Sequence, residues 1–238
     1  MDVIEGAWTW LTTGSNWTGD GGVWQRLGEH LYLTALCLLI AAAIALPVAL
    51  WLGHVGRGGA LATNIAGIGR AVPTLAVLVL LTVSPLGRSE LWPTLIALVL
   101  FAIPPLLTNA HLGVREADQN VVEAARGMGM SGGQLLWRVE LPLAYPMLMT
   151  GIRSATVQVI ATATLAAIAG GGGLGRIITD GFSTYRTPQV VAGAVLVAAL
   201  ALLVEGALVI AARLLDPMRG RRRRAEPVAA PVPVTATT

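Results

Sequence analysis

Lysine is absent: all sixteen basic residues among the 238 are arginine. A Walker A loop needs its lysine on the phosphates, so this chain has no such site, and any use of ATP falls to another subunit. Charge of either sign is scarce, at 12% of residues, about half the share of an ordinary soluble domain. Cysteine occurs once, as Cys37 inside an apolar run. That excludes an internal disulfide and leaves packing as its role. The three histidines, His30, His54 and His111, are scattered at the ends of apolar runs. No nucleophile and base stand together, so no catalytic residue and no metal ligand is assigned. Basic residues are also scarce at the start, which carries Asp2 and Glu5. Residues 1–28 therefore do not read as a signal peptide.

What is present is apolar sequence: 55% of residues are hydrophobic and the mean hydropathy is +0.70. This is the profile of an all-α polytopic membrane protein. Residues 31–52 carry no charge and would reach about 33 Å as a helix, enough for a hydrocarbon core of about 30 Å. They form the first expected span, with Pro47 as a possible kink and Ala41 and Ala45 offering a face for close helix approach. Further spans are expected over 60–81 with an interruption at Arg70 and Pro73, over 92–109 with a break near Pro104 and Pro105, over 143–169, and over 189–214. Before them, Trp8, Trp10, Trp17 and Trp24 fit either a segment lying at the membrane interface or a mobile tail. After them, 217–238 is an arginine-rich and Pro/Val/Ala/Thr tail expected to be disordered. The domain reading is thus 1–28, a membrane domain 29–216, and a tail 217–238.

One polar interval interrupts the spans, 115–142, READQNVVEAARGMGMSGGQLLWRVELP. Its start reads as a short helix with Glu116 and Asp118 in the first turn and Ala117, Val121, Ala124, Ala125 and Met128 at helical spacing. Gly127 and Gly129 stop it. Ser131 and Gln134 match a capping box, so a second helix begins near Gly132 and carries Leu135, Leu136 and Val139 as far as Pro142. Neither piece is stable alone, so each needs a partner surface.

Glu123, Ala124 and Ala125, then Gly129, then Val139, Leu141 and Pro142 resemble the EAA loop of the membrane subunits of ATP-binding-cassette importers. That resemblance implies an ATPase-coupling role for these residues and for Gly127, in an elbow that docks into a cleft of a separate ATPase subunit. It places 115–142 on the cytoplasmic side. The positive-inside rule agrees: Arg57, Arg115, Arg126, Arg138, Arg213, Arg219 and 221–224 then lie inside, ten in all, against Arg26, Arg88, Arg176 and Arg186 outside. Five spans put the N-terminus outside and the C-terminus inside. The four consecutive arginines act as a stop-transfer flank or meet anionic headgroups.

A formal dinucleotide fingerprint at Gly170, Gly172 and Gly175 follows a membrane helix instead of a strand, so it is rejected. The run Gly171-Gly172-Gly173-Leu174-Gly175 instead resembles the GAGGLG-like loop of quaternary-amine importer permeases, with Gly171 in place of alanine. It reads either as irregular backbone lining the outer pore mouth or as a flexible connector. Residues 70–76, including Arg70 and Pro73, and Pro105 through Asn109 to Gly113 resemble the same subfamily, which handles osmoprotectants such as glycine betaine, choline and carnitine. Thr108 departs from it, since arginine stands there in many relatives. Methionine-importer permeases share the elbow and the five-span, MetI-like layout.

Arg70, Arg153 and Glu205 are intramembrane charges, and each lies about 14 to 15 Å from the cytoplasmic end of its span at 1.5 Å per residue. Such charges are usually paired or face water. Glu205 is expected to pair with Arg153 or Arg70 near the translocation path, unless all three snorkel to the interface. The expected path or gate is therefore Arg70, Pro73, Asn109, Arg153, Glu205, Gly172, Gly173 and Gly175.

The resemblance implies a non-enzymatic permease subunit in a bacterial inner membrane, working beside two ATPase subunits that bind ATP and Mg. A second permease copy or homologue and an extracytoplasmic binding protein complete the assembly; no nucleic acid is involved. The competing classes are a methionine-type permease, an ion-coupled secondary transporter using Glu205, and a membrane enzyme. The transporter would need no elbow, and the enzyme would need a polar cluster that the spans lack.

Overall fold

Among the described residues, four helices are long and apolar enough to cross a membrane: Val23–His54, Leu91–Arg115, a composite over Gly132–Ala169, and Thr187–Leu215. The computed structural model describes residues 2–89 and 91–218, and within 59–71 it leaves out the side chains of Leu61, Thr63, Ala66, Ile68 and Arg70. The tail beyond 218, including 221–224, lies outside the described residues. No strand occurs among the described residues.

In chain order the helices are α1 (Val3–Thr12), α2 (Val23–His54), α3 (Gly59–Ala71), α4 (Thr74–Val83), α5 (Leu91–Arg115), α6 (Gln119–Gly127), α7 (Gly132–Leu135), α8 (Leu141–Ala166), α9 (Gly175–Ser183) and α10 (Thr187–Leu215). α5 lies between α2 and α8, with α3 and α4 on α5; α10 packs on α8, α9 and α1. α2 meets this core through a stripe at near-fourfold spacing, Cys37, Ala41, Ala45, Ala49 and Gly53, all buried. Small residues there bring the backbones together, which is how apolar helices associate when lipid is as apolar as they are.

Three expected boundaries are corrected, and the interruption expected at Pro73 is a full break. α2 begins at Val23, not near 31, so its 32 residues span about 48 Å and project beyond a bilayer core of about 30 Å. The span expected over 60–81 is two helices that meet at Val72 and Pro73. Proline has no amide hydrogen and pushes the residue before it out of the helical region, so the ladder stops there. Pro104 and Pro105, expected to break the third span, lie inside an unbroken α5 that runs on to Arg115. Neighbouring helices in a membrane bundle can re-satisfy the freed backbone groups. The elbow's second helix does not end at Pro142 either: α7 passes through a π-helical turn, Leu136–Glu140, into α8, where Pro142 occupies the first turn. The π turn replaces the regular backbone ladder just before it, so the missing amide hydrogen does not end the helix.

Residues 3–22 are ordered. α1 packs on α10, Trp17 Nε1 donates to the Leu11 carbonyl at 2.6 Å, and the Trp17 and Trp24 rings lie 5.3 Å apart. The bundle therefore has two distinct ends. One gathers α1, the start of α2, the 170–175 loop and the start of α10; the other gathers the end of α2, the end of α5, the elbow and the end of α10, where Tyr145 Oη donates to the Ala212 carbonyl.

Candidate coupling loop and translocation path

α6 begins later than the spacing predicts: Asp118 is its cap, accepting from Asn120 N–H at 3.0 Å, and Glu116 lies outside it. The buried face is consequently Val122 and Ala125, packed with Ala117 and Leu135 against Met130, Val139 and Leu143. Val121, Ala124 and Met128, expected on that face, are exposed instead, Met128 at 78%. Gly129 turns the chain at φ +84°, in the left-handed region where a side chain is strained. The capping box forms as the spacing predicts, with Ser131 Oγ accepting from Gln134 N–H and Gln134 Oε1 accepting from Ser131 N–H. Glu123, Ala124, Val121, Met128 and Trp137 are thus displayed at the elbow end of the bundle. Exposed Val121, Met128 and Trp137 leave apolar surface at this end, while Glu123 points to another side of α6 at about 100° per residue.

Between α3, α5 and α8 lies a cavity of about 230 Å³ lined by Gly69, Phe101, Pro104, Pro105, Thr108, Asn109, Ser154 and Gln158. Asn109 Nδ2 donates to the Pro105 carbonyl at 2.8 Å, and the Thr108 hydroxyl is buried with no hydrogen-bond partner. Of the expected path residues, Asn109 lines this cavity. The Arg70 side chain lies outside the described residues, although Gly69 beside it is part of the wall. Pro73 is exposed at the α3–α4 break.

Arg153 and Glu205 come together: Arg153 Nε donates to Glu205 Oε1 at 2.9 Å, and its Nη2 makes a second, shorter contact to the same oxygen. They do so on a different face from the cavity. At about 100° per residue, Arg153 is turned about 120° from the mean direction of Ser154 and Gln158 and shares its side with Ile160, which packs against Val197 and Leu200 of α10. The pair joins α8 to α10 and does not line the cavity between α3, α5 and α8.

The glycine loop closes the other end of the bundle. Glu29 Oε2 accepts from Gly173 N–H at 2.8 Å, and buried His30 donates from Nε2 to the Ile160 carbonyl at 3.1 Å. Gly173 has φ +87°, and a Cβ on Gly172 would stand 2.5 Å from Glu29 Oε2. Gly175 opens α9, buried against Thr164. The loop is a fitted piece of backbone, which removes the flexible-connector alternative. It borders a cavity of about 400 Å³ with Arg26, Glu29, Tyr32, Thr94 and Arg176 on its walls. Gly175→Ala, whose Cβ would stand well inside van der Waals contact of the Thr164 carbonyl oxygen, is expected to destabilise the protein by about 1 to 3 kcal/mol, the usual cost of overpacking. Gly206→Ala, where a Cβ meets nothing within 4 Å, serves as the control in the same thermal melt and is expected to hold or raise the midpoint, since alanine favours a helix interior over glycine by about 1 kcal/mol.

Sequence reasoning passed over Glu29, Glu140, Ser154 and Gln158, set His30 and His54 aside as histidines at the ends of apolar runs, and marked Thr108 only as a departure from the subfamily. A start of α2 at 31 puts Glu29 and His30 in a loop. The signal that would have found them is the apolar periodicity running back through Leu27 to Val23.

Residues 11–219 match the family described as binding-protein-dependent transport system inner membrane component. The chain is 32% identical over 200 residues to a glycine betaine/carnitine/choline transport system permease of Bacillus subtilis, covering 84% of this chain and 91% of the relative. It is 37% identical over 180 residues to a carnitine transport permease of Listeria monocytogenes, covering 76% and 82%. Among solved structures, it superposes on a chain of the MetNI methionine ABC transporter in an inward-facing conformation with a TM-score of 0.70. That match has 23% identity over 81% of this chain and 95% of the other.

Proposed function

The chain belongs to the inner membrane components of binding-protein-dependent transport systems, and from that premise we propose that it carries a quaternary-amine osmoprotectant such as glycine betaine, choline or carnitine. The relatives' substrates support the solute class. The observation that supports coupling to a motor is the elbow, where Val121, Glu123, Met128 and Trp137 are exposed at one end of the bundle. In this reading two ATPase subunits, which hold the ATP and Mg, grip two elbows. A binding protein delivers solute to the opposite end, where the glycine loop lies. The elbow end is cytoplasmic and the N-terminus outside, in a bacterial inner membrane.

A second permease copy or a homologue supplies the other wall of the path. Thr108, Asn109, Ser154 and Gln158 line an open cavity at a depth where polar groups facing lipid are costly. A partner across that cavity turns the polar side inward to water and solute. Closure of the ATPases moves the elbows and rocks the helices between two packings.

The test is reconstitution of the permease with its ATPase and binding protein in liposomes. Radiolabelled glycine betaine is expected to accumulate only when ATP is enclosed with the ATPase. Accumulation by the permease alone under a proton or sodium gradient would establish a secondary transporter. ATP-driven uptake of methionine with none of glycine betaine would move the protein to the other importer class.

A further inference from the structure

α2 is held at both ends. At the elbow end Glu140, the last residue of the π-helical turn, is 4% exposed, and a carboxylate so deep needs a polar partner. His54, at the last position of α2, provides it: Nδ1 donates to Glu140 Oε2 at 2.7 Å, across 86 residues of sequence. The other ring nitrogen faces α7, where a Cβ on Gly132 would lie 3.2 Å from it. One imidazole therefore touches both the first turn of the elbow's second helix and the π turn that ends it. Around it, Arg115, Gln119, Arg126 and Glu140 line a cavity of about 420 Å³ behind α6. Arg115 of α5 donates to the Gly56 carbonyl just beyond α2.

From residue 54 back to residue 30, α2 is one helix with Pro47 inside it, about 36 Å at 1.5 Å per residue. At that far end Glu29 holds Gly173 N–H and His30 holds the Ile160 carbonyl. α2 is thus hydrogen-bonded at one end to the π turn and at the other to both the glycine loop and α8, and a helix anchored in this way transmits displacement along its axis. The π turn is the compliant part, since such turns are wide, strained insertions that recur at functional sites.

We propose that His54 and Glu140 form a clasp through which movement of the elbow is passed to α2, and by α2 to the glycine loop at the opposite end. Both are positioning residues, since neither touches solute or nucleotide. The inference rests on the importer reading above.

The test uses the assembled complex of permease, ATPase and binding protein. His54→Leu with Glu140→Met removes both polar groups together, so no buried carboxylate is stranded, and such replacements are often neutral for folding. The double variant is expected to consume about fivefold or more ATP per glycine betaine imported, the lower end of ordinary coupling between sites. His54→Gln, whose amide can donate to Glu140, is expected to restore coupling relative to His54→Leu. A cysteine introduced as Ile168→Cys, on an exposed residue beside the glycine loop, reports the far end by maleimide labelling in nanodiscs. The native Cys37 is fully buried and stays silent.

Labelling is expected to change with nucleotide in the wild-type clasp and to stop changing in the double variant. Unchanged ATP per solute with an unchanged labelling response in the double variant overturns the clasp while leaving the importer reading intact. Equal coupling by His54→Leu and His54→Gln overturns it as well. A wild-type permease that binds no ATPase overturns the importer reading and the clasp with it.

Discussion

Glu123→Arg is expected to strip the ATPase from the purified complex and to abolish ATP-driven uptake while the permease itself stays folded. Glu123 is exposed on α6, pointing away from the small core of Val122, Ala125 and Leu135 that holds the elbow together. A surface substitution of that kind changes fold stability by only about 0.5 kcal/mol. Reversing a charge that meets a complementary partner costs several kcal/mol, and each 1.4 kcal/mol is about a tenfold loss of affinity. Co-purification with tagged permease measures it, and melting temperature separates loss of docking from loss of fold. Gly129→Val is expected to give the same loss by another route. At φ +84° a β-branched side chain costs about 1 to 2 kcal/mol, so the turn relaxes and tilts α6. An ATPase that still co-purifies at wild-type stoichiometry with Glu123→Arg would remove the elbow from the coupling mechanism.

The second large effect concerns Arg153 and Glu205. Arg153→Met alone leaves the Glu205 carboxylate inside the membrane without its guanidinium, and its other oxygen is already buried and unbonded. The side chains are 35% and 29% exposed in the isolated chain, so part of the cost is met by whatever covers that face. A loss of about 3 kcal/mol is expected, the scale of placing one charge at the centre of a helix in a bilayer. For a chain of this size that corresponds to about 6 to 12 °C in melting temperature. Arg153→Met with Glu205→Leu should recover most of it, because two apolar residues then face each other between α8 and α10. Uptake by the double variant distinguishes a structural pair from a gate: transport near wild type makes the pair a fastener, whereas lost transport in a stable protein makes it part of the conformational cycle.

The all-helical membrane class was legible because apolar runs longer than a bilayer is thick admit no other fold, and no charge interrupts 31–52 or 92–109. The capping box at Ser131 and Gln134 was legible because its reciprocal bonds are local, spanning three residues. The buried face of α6 was not. Val121 and Val122 are equally apolar, and which one turns inward depends on where the helix starts, which Asp118 decides by capping Asn120. Pro104 and Pro105 were misread for a related reason: a proline breaks a helix in water, but among packed membrane helices the surroundings compensate.

Reading the chain alone was enough to establish a bundle of membrane helices interrupted by one polar elbow, the lack of a P-loop, and the need of Glu205 for Arg153, Arg70 or water. These follow from hydropathy, missing lysine and the cost of charge in lipid, none of which requires knowing what lies beside what. It took packing to select Arg153 as the partner of Glu205 and turn the pair away from the cavity, to seat the glycine loop on Glu29, and to bring His54 to Glu140 across 86 residues. Those contacts depend on helix rotation and on the offset between helices. A shift of one residue turns a side chain by about 100°, and no local pattern in the chain specifies that angle.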